Sequence, residues 1–318
     1  MSTTTGEQEP YKPRNAAIPL AIMIVLWIVG AGLWLTGGEL YTSGLLVYVG
    51  LIVGVGLGLY LALPRRKRPL GRRVMFLMVG TLLLALALLT DHGNMQIEGL
   101  FFALLAVAAP YIILHYLLAK IAGPLVFGRV WCGWACWFAM IFDLLPYPYS
   151  RYRIPGRWGL LRYVHFLGSL TVVALLVFVF GYRDGALGDN GLEWFVAGLA
   201  AYYAIGIVMA MALKDNRAFC KYLCPISVPL KLSSRFALLK VTGTADKCGD
   251  CVACIEMCPM NIRVRDYIDA NERVMSTECT MCQTCINVCP HDSLRLSLGF
   301  DRGGKELIDY EPPRYRRR

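Results

Sequence analysis

Residues 247–290 read KCGDCVACIEMCPMNIRVRDYIDANERVMSTECTMCQTCINVCP. Two runs of C-x2-C-x2-C-x3-C-P stand inside this stretch. Cys248, Cys251, Cys254 and Cys258 precede Pro259, and Cys279, Cys282, Cys285 and Cys289 precede Pro290. Three thiolates at this spacing wrap three corners of an iron–sulfur cube, and the fourth, in the following helical turn, reaches the neighbouring cluster. The pattern predicts two [4Fe–4S] clusters. Cys248, Cys251, Cys254 and Cys289 are expected to hold one, and Cys279, Cys282, Cys285 and Cys258 the other. Zinc sites use paired knuckles or cysteine–histidine mixtures instead. Disulfides do not suit the reducing side of a membrane.

The chain before this stretch has a different character. Over its 318 residues, 57% are hydrophobic and 17% charged, against about 45–50% and about 25% in soluble domains. A span needs about 20 apolar residues to cross a hydrocarbon core of about 30 Å. Six stretches approach that length: Ala16–Thr36, Leu45–Leu63, Val74–Leu89, Leu100–Leu118, Tyr163–Tyr182 and Leu192–Leu213. The third is short and needs flanking residues, and Pro110 predicts a kink inside the fourth. The first stretch is too long for a secretory core and follows Glu7 and Glu9, so it is expected to be a retained helix.

Basic residues orient the spans. The loop Pro64–Arg73 carries six of them, and Pro146–Arg162 carries Arg151, Arg153, Arg157 and Arg162, whereas the alternate loops hold only Arg183. Both termini and the cysteine-rich end are therefore expected in the cytoplasm, with the protein in the cytoplasmic (inner) membrane. The net charge of +10 follows from this asymmetry, and nothing in the chain resembles a nucleic-acid-binding motif. The expected fold is an all-α six-helix integral membrane domain followed by a small α+β two-cluster ferredoxin domain. Its parts are a disordered segment 1–15, the membrane domain 16–240, the ferredoxin domain 241–300 and a basic tail 301–318 with Arg314, Arg316, Arg317 and Arg318.

Four cysteines remain, again as matched pairs. Cys132 and Cys136 follow the fourth span, and Cys220 and Cys224 follow the sixth. If helical, an i, i+4 spacing puts both sulfurs of a pair on one face. Topology brings both pairs to the same membrane side. They could converge as a third cluster or other metal site, or act as redox dithiols or a docking surface; buried inert thiols are the bland alternative.

These motifs, with Gly128–Leu145 and Asn216–Leu230 around the pairs, resemble the membrane polyferredoxins of the NapH, NosR and MauN group, over about Val74–Leu298. The NapH branch is closest in layout. The chain departs from the group in two extra spans before the shared part and in Trp137 where Pro usually follows the first pair. The resemblance implies oxidation of membrane quinol with electrons passed to a partner redox protein. Other members of the group implied by the same motifs act in maturation, keeping a metal centre or thiol of a client enzyme reduced.

Quinol also follows from position, being a mobile two-electron carrier in the lipid that clusters can meet one electron at a time. The partners expected are therefore membrane lipid, the quinone pool and a redox protein on one side of the membrane. Polar groups near span ends are the candidate quinone contacts. His115 and His165 lie at similar depth inside, and Asp91, His92, Gln96 and Glu98 are expected in a loop outside. An interfacial histidine is more often a hydrogen-bonded packing residue.

Overall fold

The structure, a computed structural model, describes residues 11–89, 94–106, 109–147, 153–183, 188–249 and 251–310. Expectations for residues 1–10, Asp91, His92, Arg151 and the arginines from Arg314 onward lie outside the described residues. Among the described residues, six helices are long and apolar enough to cross a membrane. They are α1 (Pro13–Leu35), α2 (Leu40–Ala62), α3 (Arg65–Leu89), α5 (Pro110–Phe127), α8 (Trp158–Phe178) and α9 (Asn190–Leu213). Ile18, Ile28 and Leu35 on α1, and Val164 and Leu167 on α8, stand exposed. Apolar side chains left outward over whole helices belong in lipid, where no hydrophobic cost attaches to them.

The chain divides into two compact units, residues 1–82 and 83–318. In the first, α1 and α2 form a close hairpin. Trp27 Nε1 donates to the Val47 carbonyl at 3.0 Å. At Gly54 the Met23 side chain fills the space where a Cβ would stand. Small residues let two helices approach where lipid provides no hydrophobic drive to hold them. Leu63 is extended ahead of Pro64, as the proline requires, and α2 stops there. Helix α3 then begins at Arg65, so the expected short third span gains its length from the basic loop.

In the second unit the fourth span differs from expectation. Residues Ile97–Leu105 form a separate short helix, α4. Ala109 takes the left-handed conformation (φ 58°), and Pro110 opens α5 as its first residue. A proline fits a first helical turn, where its missing N–H has no partner to lose. The chain therefore breaks before Pro110 instead of kinking at it. Beyond α5 come α6 (Val130–Trp134) and α7 (Trp137–Phe142). After α9 lie α10 (Ala218–Tyr222) and α11 (Ser227–Ser234).

The cysteine-rich part is closed by two antiparallel strands, β1 (Leu239–Gly243) and β2 (Leu294–Leu298), with Leu239 opposite Leu298 and Gly243 opposite Leu294. Between them lie α12 (Ala253–Glu256), α13 (Val264–Asp269) and α14 (Thr284–Val288). A small core of Val241, Ile255, Ile262, Tyr267, Ile268 and Leu294 surrounds the thiols. Replacing Gly54 by Val should overpack the α1–α2 contact and destabilise it by about 1–3 kcal/mol. A lowered thermal midpoint of the detergent-solubilised protein would register this.

Candidate functional site

The two predicted quartets come together. Cys248, Cys251, Cys254 and Cys289 line one cavity with Arg265, His291 and Ser293. Cys258, Cys279, Cys282 and Cys285 line a second, with Val241, Ile262 and Val274. The crossing follows from the fold: each proline turn swings the last cysteine of a run toward the other run. Cys285 lies near enough to Cys254 for the two thiolates to repel, so the cavities are neighbours.

Burial pushes the Cys254 and Cys279 thiols up to about 12 and Cys258 to about 11. Such groups are neutral at pH 7 and become thiolates when a cation binds them. Cys289 behaves differently. Burial would raise it, but the Ser293 hydroxyl at 3.2 Å and backbone N–H groups around residues 291–294 outweigh that and hold it below the ordinary value. Among the described residues no three His, Cys, Asp or Glu side chains stand at single-ion spacing. Eight soft donors around two apolar cavities fit a sulfide-bridged cluster better than a lone hard ion.

The C-x3-C pairs do not each lie on one helix face. Helix α6 ends at Trp134, and Cys136 stands beyond the break at the start of α7. Two bonds close the turn: the Ala135 and Cys136 N–H groups both donate to the Trp131 carbonyl at 3.0 Å. The second pair repeats this, with Leu223 and Cys224 N–H donating to the Phe219 carbonyl at 2.9 Å. A helical turn cannot continue through these residues, so the sulfurs are placed by turn geometry. The pairs nonetheless face each other. Cys220 interacts electrostatically with Cys132 and Cys136, and Cys224 with all three. Burial raises Cys136 and Cys224, and brings Cys220 to about 12.

These turns sit directly on the second cavity. A Cβ on Gly133 would collide with the Thr280 carbonyl oxygen. Trp134 Nε1 donates to the Met281 carbonyl at 2.9 Å. Lys221, buried completely, donates to Asn261 Oδ1 at 2.5 Å and to Asp215 at 2.7 Å.

Glu278, the residue before Cys279, locks the arrangement. It is 3% exposed and meets Arg129 and Arg153 at 3.4 Å, Arg162 at 3.0 Å and Lys231 at 2.5 Å. Burial alone would raise its carboxyl; these four cations outweigh burial and hold it well below the usual range. Arg217 makes the second lock, donating Nε and Nη2 to Asp143 at 2.6 and 2.7 Å and Nη1 to the Cys132 carbonyl at 3.0 Å.

Sequence reading passed over these residues, although a signal exists. Arg129 and Arg217 each precede the first cysteine of a pair by three positions, with Trp131 or Phe219 just before it and Trp134 or Tyr222 two after. The repeated pattern is Arg-x-aromatic-Cys-x-aromatic-x-Cys.

The histidines divide. His165 Nδ1 stands 2.8 Å from the Leu223 carbonyl and Nε2 3.3 Å from the Tyr202 hydroxyl. His115 packs edge-on against Tyr116 and Trp131, away from that network. Glu98, expected in an outer loop, lies instead on α4 against the bundle. It accepts from Ser169 Oγ at 2.9 Å and Tyr202 at 2.5 Å. The α4 helix, folded against α8 and α9, carries it there.

Comparison with known proteins bears on the same residues. A family model described as a 4Fe-4S dicluster domain matches residues 240–290. A second, described as a 4Fe-4S binding domain, matches 98–153 and 197–240, the segments that carry the two pairs. The ferredoxin-type protein NapH of Haemophilus influenzae is 26% identical over 217 residues, 64% of this chain and 71% of its own length. The methylamine utilization ferredoxin-type protein MauN of Methylobacillus flagellatus is 27% identical over 228 residues, 62% of this chain and 78% of its own. The chain is similar to the NapH, NosR and MauN group of ferredoxin-type proteins. Its cysteine-bearing segments match 4Fe-4S-binding models, and six helices among the described residues are long and apolar enough to cross a membrane. An uncharacterized protein of Methanocaldococcus jannaschii is 28% identical over 173 residues, 54% of this chain, and the chain spans 65% of that relative's length. No solved structure gives a significant match.

Two substitutions probe the docking. Glu278→Gln leaves four cations around a neutral amide and should cost about 3–5 kcal/mol, read as a lowered unfolding midpoint in urea. Gly133→Ala should force the C-x3-C turn off Thr280. Loss of iron from the adjacent quartet during gel filtration, with wild type retaining it, would report that displacement.

Proposed function

We propose that this protein is a quinol dehydrogenase subunit, taking electrons from membrane quinol and passing them to a partner redox protein. The observation that carries this reading is the stacking of the C-x3-C turns on the second quartet, through Gly133, Trp134 and Lys221. That contact lines up three thiol groups from the helix ends outward. Cys132, Cys136, Cys220 and Cys224 come first, then Cys258, Cys279, Cys282 and Cys285, then Cys248, Cys251, Cys254 and Cys289.

On this reading the last two quartets each hold a [4Fe–4S] cluster, which supplies one-electron storage at low potential when bound. The chain's own part is to fix distances and charge. Glu278 and its cations hold the second quartet against the membrane helices, while Arg129 and Arg217 stand beside the pairs and offset negative charge there. Cys248 and Cys251 are half-exposed, which suits electron exchange with a docked protein. The arginine and lysine bias supports a cytoplasmic position for this end, by the positive-inside rule.

The convergence of these four thiols also supports a second reading. As a dithiol reductase, the protein would keep a client enzyme's metal or thiol reduced during maturation. A third cluster at the same thiols belongs to the first reading.

Anaerobic purification with iron and sulfide analysis separates these. About 12 Fe per chain indicates a third cubane, and about 8 leaves the pairs as thiols. Membranes given ubiquinol or menaquinol should bleach the cluster absorption. Clusters that dithionite bleaches and quinol never does would end the dehydrogenase reading.

A further inference from the structure

Helix α8 carries three polar residues on one face, Arg162, His165 and Ser169, at i, i+3 and i+7. Arg162 reaches Glu278, and the two above it join a network inside the helix bundle. The Leu223 carbonyl, His165, Tyr202 and Glu98 lie in series at 2.8, 3.3 and 2.5 Å, with Ser169 donating to Glu98 at 2.9 Å. Tyr202 is buried, and the second carboxylate oxygen, Glu98 Oε2, is enclosed with no hydrogen-bond partner among the described residues.

Counting protons along this series gives an asymmetric result. The Leu223 carbonyl only accepts, so Nδ1 of His165 must carry a hydrogen. The Tyr202 hydroxyl has one hydrogen and two neighbours, Nε2 and Glu98, each at bonding distance. A neutral imidazole, a phenol and a carboxylate together supply two hydrogens for three contacts. The third contact is a hydrogen bond only when the group holds one more proton. That proton sits on His165 Nε2 with Tyr202 donating to Glu98, or on Glu98 with Tyr202 donating to His165. The two arrangements interconvert by moving each hydrogen a short way along the series.

Enclosing a carboxylate oxygen without a donor is costly, so Glu98 Oε2 keeps its full capacity to accept a proton. Ionisable groups at membrane depth that face the bundle interior mark proton and substrate paths. We propose that Glu98, Tyr202 and His165 form a one-proton acceptor for quinol oxidation, with Glu98 as the group that takes the proton. The proposal rests on the quinol reading above. In the reaction both quinol O–H bonds break and two carbonyls form. The two electrons leave singly to the iron–sulfur clusters of the cysteine quartets. The protons pass one after the other to Glu98, and the first moves out to solvent before the second arrives.

Glu98→Gln and Tyr202→Phe keep size while removing the acceptor or the link. Each should slow cluster reduction by ubiquinol or menaquinol about 100-fold, the scale of general base catalysis, while dithionite bleaches the full amplitude. A second readout needs no turnover: adding ubiquinone to the oxidised protein should perturb a carboxyl C=O stretching band in infrared difference spectra. Glu98→Gln should abolish that band. Unchanged quinol rates in both variants, with the infrared band retained in Glu98→Gln, would overturn the assignment. A wild type that quinol cannot reduce, but whose band disappears in Glu98→Gln, would instead sink the quinol reading and leave the proton site standing.

Discussion

A carboxylate with almost no solvent exposure survives only among cations, and Glu278 has four, drawn from the segment after α5, from Arg153, from the start of α8 and from α11. Each cation is itself largely buried, so none can be removed without leaving an uncompensated charge behind. Such a hub specifies position more than it adds net stability, because desolvation offsets much of the attraction. Its place in the chain gives that specificity a use. Glu278 is bonded to Cys279, so whatever fixes the carboxylate also fixes the loop of the second quartet.

The two C-x3-C turns complete the constraint by an approximate symmetry. Each has an arginine three residues before its first cysteine and a charged residue seven after its second, Asp143 in one case and Lys231 in the other. The partners cross: Arg217 of the later turn takes Asp143 of the earlier, while Arg129 of the earlier and Lys231 of the later share Glu278. Crossed pairs of this kind hold the two turns together and bind both to the cysteine-rich part. The pairs of thiols converge because of these ions, with backbone turns that stop each short helix at the right residue.

This explains what could be read from the chain and what could not. The ferredoxin quartets are legible because a cluster's ligands are dictated by local spacing, and even the crossing of Cys258 and Cys289 follows from the proline after each run. The long helices are legible because lipid demands an unbroken apolar length. Pro110 was misplaced because the same residue can kink a helix or begin one, and only the left-handed Ala109 before it decides. Glu98 was assigned to a loop since it follows a hydrophilic stretch; its true place depends on Ser169 and Tyr202, residues 71 and 104 positions away. The pairs do not share a helix face for a local reason, a turn that ends each helix two residues before the second thiol.

One helix face then relates the lipid-embedded part to the cysteine-rich part. Along α8, seven residues separate Ser169 from Arg162, about 10 Å of helix rise. Within that length the polar groups pass from a carboxylate network inside the bundle to an arginine on the Glu278 hub. Electrons and protons have different needs over such a distance. Electrons require only that redox groups be held close, which the ionic locks provide, whereas a proton requires a continuous series of donors and acceptors. That series ends at the Leu223 carbonyl, which can accept a hydrogen bond but cannot pass a proton on. On the proposed reading, protons would therefore stay on the membrane side of the thiol site, and the packed turns of Gly133 and Trp134 would carry electrons alone.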